Sequence, residues 1–272
     1  MNRAKAQAEL TEHGALPGTR PEGARDESEA ERQVREMFSQ IAPRYDFLNH
    51  FLSLSFDRLW RRRTAQRFER VMRNPEANIL DVCCGTGDLA FAMDRAREKA
   101  LCYAAGTRRS IVGCDFAMPM LGLASKKAAR GKMAARFLAA DALELPFADA
   151  SLDLVTTAFG FRNLANYERG LREFARVLRR GGELGILEFA EPKNGALARL
   201  YRFYFSRILP RIGGAISGSS AAYSYLPESV RKFPSPEMLK RSMENAGFRA
   251  VEYERWTCGI VALHRGVRNS TG

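Results

Sequence analysis

Several features that mark other protein classes are missing or scarce in this 272-residue chain. No apolar run is long enough for a membrane-spanning helix, and the first residues are too polar for a secretory signal. The five cysteines, with Cys83 and Cys84 adjacent, form neither a disulfide framework nor a metal-ligand spacing. A reducing compartment, most simply the cytoplasm, is expected, with no metal, and Cys83 and Cys84 read as small residues of a buried strand. Negative charge is also short. Lys and Arg number 43 against 31 Asp and Glu, a net charge of +12. Such an excess favours an anionic partner, a membrane surface or nucleic acid, and says nothing of the fold.

A hydrophobic fraction of 46% suits one α/β domain with extensions. Its centre is residues 79–90, an apolar run that ends in Gly85 and Gly87 and continues with helical periodicity: strand, tight turn, helix. Gly85, Gly87 and Ala90 also fit the G-x-G-x-x-G/A pattern of dinucleotide sites, so spacing alone does not choose the cofactor. Charge does. Asp88 stands where a helix N-terminus would receive a pyrophosphate, and Asp81 stands four residues before Gly85. Two carboxylates repel a pyrophosphate and suit a ligand carrying an ammonium and a sulfonium. The stretch resembles the first motif of the Rossmann-like methyltransferases that use S-adenosylmethionine.

Residues 1–29 lack apolar periodicity and read as a disordered tail, with the domain over 30–272. Residues 30–75 read as a helical lid containing Tyr45, Asp46 and Asn49, then Ser53, Asp57 and an Arg-flanked Trp60. The second strand ends in Asp115, whose carboxylate can accept from both ribose hydroxyls. The third is followed by Asp141 and Ala142, placed to bond an adenine edge. The fourth runs into Ala158, Phe159, Gly160, Phe161, Arg162 and Asn163. Helical periodicity extends from Asn166 to Arg180, where Gly181 and Gly182 stop it. A long excursion, 190–233, carries an apolar stripe from Leu197 to Leu209 with flanking arginines, either core packing or an interfacial helix, and then a loop-like, tyrosine-rich run through Tyr225 to Ser229. The last strand is expected antiparallel between its neighbours, which puts His264 far from the cofactor.

The Tyr45-Asp46-x-x-Asn49 segment, Asp115-Phe116-x-x-x-Met120, Phe159-Gly160-x-Arg162-Asn163 and the segment around Tyr225 resemble a narrower group, the ubiquinone/menaquinone-biosynthesis C-methyltransferases. The resemblance covers nearly everything from Val34 to Gly266. It implies a class I fold: a seven-stranded, mostly parallel sheet with helices on both faces. It also implies methylation of a polyprenyl quinol, 2-demethylmenaquinol or a ubiquinol precursor, by an enzyme peripheral to anionic lipid at the inner face of the cell membrane. Expected cofactor contacts are Asp81, Gly85, Thr86, Gly87, Asp115, Asp141, Ala142 and Ala158. Expected catalytic residues are Arg162, holding a developing phenolate, and Asn163, orienting the ring, with Tyr45 and Asp46 as lesser candidates for proton removal beside water. A homo-oligomer or a quinone-biosynthesis complex is compatible with the sequence. One rival is a nucleic-acid methyltransferase, opposed by the absence of an Asn/Asp-Pro-Pro-aromatic group after the fourth strand and of any Pro-Cys pair. The other is a cofactor-binding scaffold without catalysis.

Overall fold

The computed structural model describes residues 18–53, 55–101, 109–192 and 220–269. Helix α1 (Glu27–Leu52) is followed by α2 (Phe56–Arg67) and the single turn α3 (Glu69–Met72). Then come β1 (Ile79–Val82), α4 (Asp88–Ala100), β2 (Val112–Asp115), α5 (Met118–Gly131), β3 (Arg136–Ala139) and β4 (Leu152–Ala158). A 3₁₀ turn, Phe161–Asn163, leads to α6 (Tyr167–Val177), β5 (Leu178–Phe189), α7 (Ser220–Lys232), α8 (Pro236–Asn245), β6 (Phe248–Trp256) and β7 (Val261–Arg268).

The strands form one sheet in the order β3-β2-β1-β4-β5-β7-β6, with β7 antiparallel to both neighbours. Successive residues of a strand face opposite sides, so each strand feeds two cores. Leu80, Val82 and Val155 pack with Leu171, Phe174 and Leu239 of α6 and α8. Ile79 and Leu154 pack with Ala65, Phe68, Leu89 and Met93 on the side of α2 and α4. The order reverses between β1 and β4, and a crevice opens there at the carboxyl ends of the strands, where ligands bind in such sheets.

Three sequence expectations need correction. Helix α6 ends at Val177 rather than Arg180 because Leu178 already pairs with Leu152 of β4. Gly181, at φ +75°, bends β5 where its register to β4 shifts, and so does not stop a helix. The run through Tyr225 to Ser229 is helical, part of α7, which buries Ser229, Val230 and the following Phe233. Order also begins before residue 30. The Thr19 N–H donates to the Leu164 carbonyl (2.7 Å), Arg20 donates to the Ala165 carbonyl (2.6 Å), and Asp26 accepts from the Glu29 N–H (2.8 Å) at the start of α1. The apolar stripe from Leu197 to Leu209 lies outside the described residues. His264 is buried in β7 opposite Ile186, its Nε2 donating to the Pro236 carbonyl (2.9 Å), and burial pushes its pKa down to about 4.

Candidate active site

The turn after β1 is built on positive φ: Cys83 at 54°, Gly85 at 55° and Gly87 at 88°. A Cβ on Gly87 would lie 2.9 Å from both Phe137 and Phe91, so only glycine lets α4 start this close to the sheet. The Gly85 N–H donates to one carboxylate oxygen of Asp115 (2.9 Å) and the Ala117 N–H to the other (2.9 Å). Asp115 thereby stitches the β1 turn to the end of β2. Each of its oxygens keeps a further lone pair for a ligand. Burial raises its pKa, with the bonds from Ala117 and Gly85 opposing.

A cavity opens over this turn, at the carboxyl ends of β1, β2 and β4. Tyr45, Gly85, Asp115, Asp141, Ala142 and Asn163 line it, as do Cys83, Phe116, Met120, Leu143, Phe159 and Gly160. Its carboxylates are Asp115, Asp141 and Glu31, the last paired with Arg35 (2.7 Å), and among the described residues no lysine or arginine lines it. That sign selects the cofactor. A ligand with a sulfonium and an ammonium suits an acidic cavity, and a pyrophosphate does not. Phe116, Met120 and Leu143 make an apolar wall of the kind that suits an adenine, and the Asp115 carboxylate keeps acceptor capacity of the kind that suits ribose hydroxyls. These residues fit S-adenosylmethionine.

Other expected site residues lie elsewhere. Asp81 is 1% exposed beneath the turn, accepting from the Ala90 N–H (3.1 Å) and the Thr156 hydroxyl (3.1 Å). Burial pushes its pKa up to about 7. The folded chain then keeps this proton to about pH 7, whereas the unfolded chain releases it near 3.9. The contribution to stability therefore falls as pH rises through that window. Urea unfolding should show the wild type losing about 1 kcal/mol more than Asp81→Asn between pH 6 and pH 8. Equal losses would contradict the assignment.

Thr86, Gly87 and Ala158 shape the turn and the end of β4 without lining the cavity. Asp46 faces away from it. Its carboxylate accepts from the Thr86 hydroxyl and from Lys127 Nζ (2.9 Å), fastening α1 onto the cofactor turn. Asp88 is likewise engaged, by Lys127 at 2.6 Å and Arg61 at 3.7 Å. Although burial works against it, those two cations hold the Asp88 carboxyl below its ordinary pKa. Its charge is thus compensated, and the cavity walls, not Asp88, oppose a pyrophosphate. Asp57 and His50 adjoin this cluster, with Arg61 paired to Asp57 as well.

Arg162 is buried beside the cavity rather than on its wall. Its Nη1 lies 3.1 Å from Glu188 Oε2 and also donates to the Phe159 carbonyl, while its own backbone N–H donates to Glu188 Oε1 (3.0 Å). The guanidinium sits 5.3 Å from the centre of the Phe189 ring. Burial opposes the charge, and Glu188 outweighs it and keeps Arg162 protonated. Asn163 does reach the cavity, its Oδ1 accepting from the Tyr225 hydroxyl (3.0 Å), which also lies 3.1 Å from Thr19 Oγ1. Tyr45 lines the cavity, and burial raises its pKa while Arg162 and Arg61 pull it down.

Sequence reasoning missed Glu188, Lys127, Thr19 and the cavity's Glu31. Glu188 carries a usable signal, a lone carboxylate in the apolar end of β5, because a buried charge demands a partner. Lys127, one of many surface-type cations, carries none.

Together, the sheet order, the glycine turn and the acidic cavity define a class I S-adenosylmethionine-dependent methyltransferase. Solved structures share the fold. They include a methyltransferase from Thermotoga maritima described as a possible histamine N-methyltransferase (TM-score 0.59, 20% identity, 87% of this chain and 100% of that one). Another is the [4+2]-cyclase SpnF (TM-score 0.63, 17% identity, 94% and 98%). A fold shared by such different reactions does not fix chemistry.

Sequence relatives are more specific. The demethylmenaquinone methyltransferase of Thermus thermophilus is 50% identical over 232 residues, 85% of this chain and 100% of the relative. That of Deinococcus radiodurans is 46% identical over 241 residues, 89% and 95%. A ubiquinone/menaquinone biosynthesis C-methyltransferase UbiE from Geotalea daltonii is 40% identical over 241 residues, 88% and 97%. The model of the ubiE/COQ5 methyltransferase family matches residues 26–268, and the chain belongs to that family.

Proposed function

We propose that this protein transfers a methyl group from S-adenosylmethionine to a ring carbon of a polyprenyl quinol, converting 2-demethylmenaquinol to menaquinol. The observation that carries this reading is 50% identity over the whole length of a demethylmenaquinone methyltransferase. Relatives at 40% identity named for both quinones keep a ubiquinone-pathway benzoquinol as the second substrate reading.

When bound, S-adenosylmethionine supplies a methyl on an already activated sulfonium. Asp115 would hold the ribose, Asp141 and Ala142 the adenine edge, and Gly85 lets the backbone approach. An aromatic carbon becomes a strong nucleophile when a ring hydroxyl ionises, and phenols start near pKa ~10. Tyr45 is itself a phenol on the cavity wall, and the charges that favour its ionisation are Arg162 and Arg61. A quinol hydroxyl beside it would feel the same field, which makes Arg162 an electrostatic group acting across the cavity wall. Asn163 orients the ring. Tyr45, held protonated by burial, donates rather than accepts, and Asp46 is turned away, so the proton leaves through water.

The polyprenyl tail keeps such a substrate in a bilayer, and among the described residues no helix is long and apolar enough to cross one. The net charge of +12 supports a peripheral position on the anionic inner face of the cell membrane.

Asp115→Ala should weaken S-adenosylmethionine roughly 10- to 150-fold, the loss expected for one hydrogen bond to a charged group, about 1.5–3 kcal/mol. Calorimetry checks this, and unchanged affinity would remove Asp115 from the site. For the function, quinones from cells lacking the protein should be lighter by one methyl group, reversed by the wild-type gene. An unaltered quinone pool would refute the substrate assignment.

A further inference from the structure

A second depression lies outside the cofactor cavity, along the groove between α2 and α4. Its floor is small and apolar: Ala65 and Met72 on one side, Ala92, Ala96 and Ala100 on the other. Its rims are cationic. Arg58 and Arg62 stand one turn apart on α2, and Arg95 and Lys99 one turn apart on α4. All four are exposed, and none has an ion pair among the described residues. Elsewhere in the groove the charges are matched: Arg73 pairs with Glu69 (2.7 Å), and Arg61 and Lys127 pair with Asp88. Four unmatched cations facing one another across an alanine floor are poorly explained by folding, because they repel at close quarters. They are complementary to an anion.

Guanidinium groups bind phosphate oxygens with paired hydrogen bonds, and the alanine floor admits an acyl chain. A nucleic acid would ask for rings to stack bases, and no phenyl, phenol or indole ring lines this groove among the described residues.

We propose that the α2–α4 groove is a binding site for an anionic phospholipid, with the phosphate held between Arg58, Arg62, Arg95 and Lys99 and the apolar part on the alanine floor. This rests on the membrane-surface reading above and goes further by naming the site. The floor follows α4, whose 13 residues run about 18 Å away from the cofactor turn. The lipid site and the methyl-transfer cavity are therefore separate, and one is removable without the other.

The full chain is sedimented with phosphatidylcholine vesicles, with and without phosphatidylglycerol. Wild type should bind only the mixed vesicles. Arg62→Glu/Arg95→Glu should bind at least roughly 30-fold more weakly, since each basic residue near the surface contributes about a fivefold factor. The control Arg231→Glu/Arg249→Glu changes net charge equally on α7 and β6 and should bind within about threefold of wild type. All variants should keep wild-type affinity for S-adenosylmethionine by calorimetry, which shows that they are folded. Equal losses in both charge-reversal variants would overturn the groove while leaving the membrane reading intact. Absence of wild-type binding to mixed vesicles would overturn both, and tighter binding to a short RNA than to these vesicles would reassign the groove to nucleic acid.

Discussion

Arg162→Ala should lose about a hundredfold or more in kcat, the effect of removing a group that stabilises developing charge, and about 3–5 kcal/mol of stability. The two losses have different origins. Stability falls because Glu188, 1% exposed, is left as a buried carboxylate without its cation. Activity falls because the cavity loses the field that favours an ionised ring hydroxyl. Arg162→Met/Glu188→Gln separates them by removing both charges and keeping much of the volume. Thermal unfolding of the double variant should return close to wild type, while kcat stays low. Arg162→Lys keeps the charge but not the planar fork, and should retain part of the activity. KM should change less than kcat, and the residual rate should climb with pH towards the quinol's own ionisation near ~10. A double variant that regains both stability and kcat would make the arginine a packing residue.

Gly160→Ala is the second large effect. A Cβ there would lie 2.3 Å from the Cβ of Cys83, and neither atom is free to rotate away because both are fixed to backbone. Alanine must therefore push the 161–163 turn, with Arg162 and Asn163, away from the β1 turn at the floor of the cavity. Overpacking of this kind costs about 1–3 kcal/mol, and both substrates should bind at least tenfold less tightly, since the displaced wall belongs to their shared cavity. Cys83 itself sits at φ 54°, a conformation in which glycine is unstrained. Cys83→Gly should thus rescue Gly160→Ala by removing the obstructing atom and relaxing the backbone together. Failure of the rescue, with the single variant fully active, would mean that the contact is not limiting.

Much of the fold is legible because its signals are local. Apolar runs at 79–82 and 152–158, with glycines after the first, state strand and turn without help from the rest of the chain. Asp115 is legible for a similar reason, as an acidic residue closing a strand. What sequence reasoning misplaced depends on partners distant in the chain. Asp46 and Asp88 look like free carboxylates until Lys127, 81 and 39 positions away, is seen between them. Arg162 reads as a ligand-facing cation until Glu188 appears beside it. The order of residues 18–26 is not legible because they are held by hydrogen bonds to the 164–165 loop and not by periodicity of their own. The run through Tyr225 looks like a loop because Pro227 and several serines disfavour a helix, whereas packing of Val230 and Phe233 overrides that propensity.

The central claim is carbon methylation of a quinol in the cavity that Asp115, Tyr45 and Asn163 line. Its most direct test is a reaction of the purified enzyme with methyl-labelled S-adenosylmethionine and chemically reduced 2-demethylmenaquinone. The product is then analysed by mass spectrometry and by carbon NMR of the labelled position. The account predicts one labelled methyl on the naphthoquinol ring carbon, formed from the reduced substrate and not from the oxidised quinone. Label found on oxygen, on both ring forms equally, or nowhere despite saturating cofactor binding would contradict it.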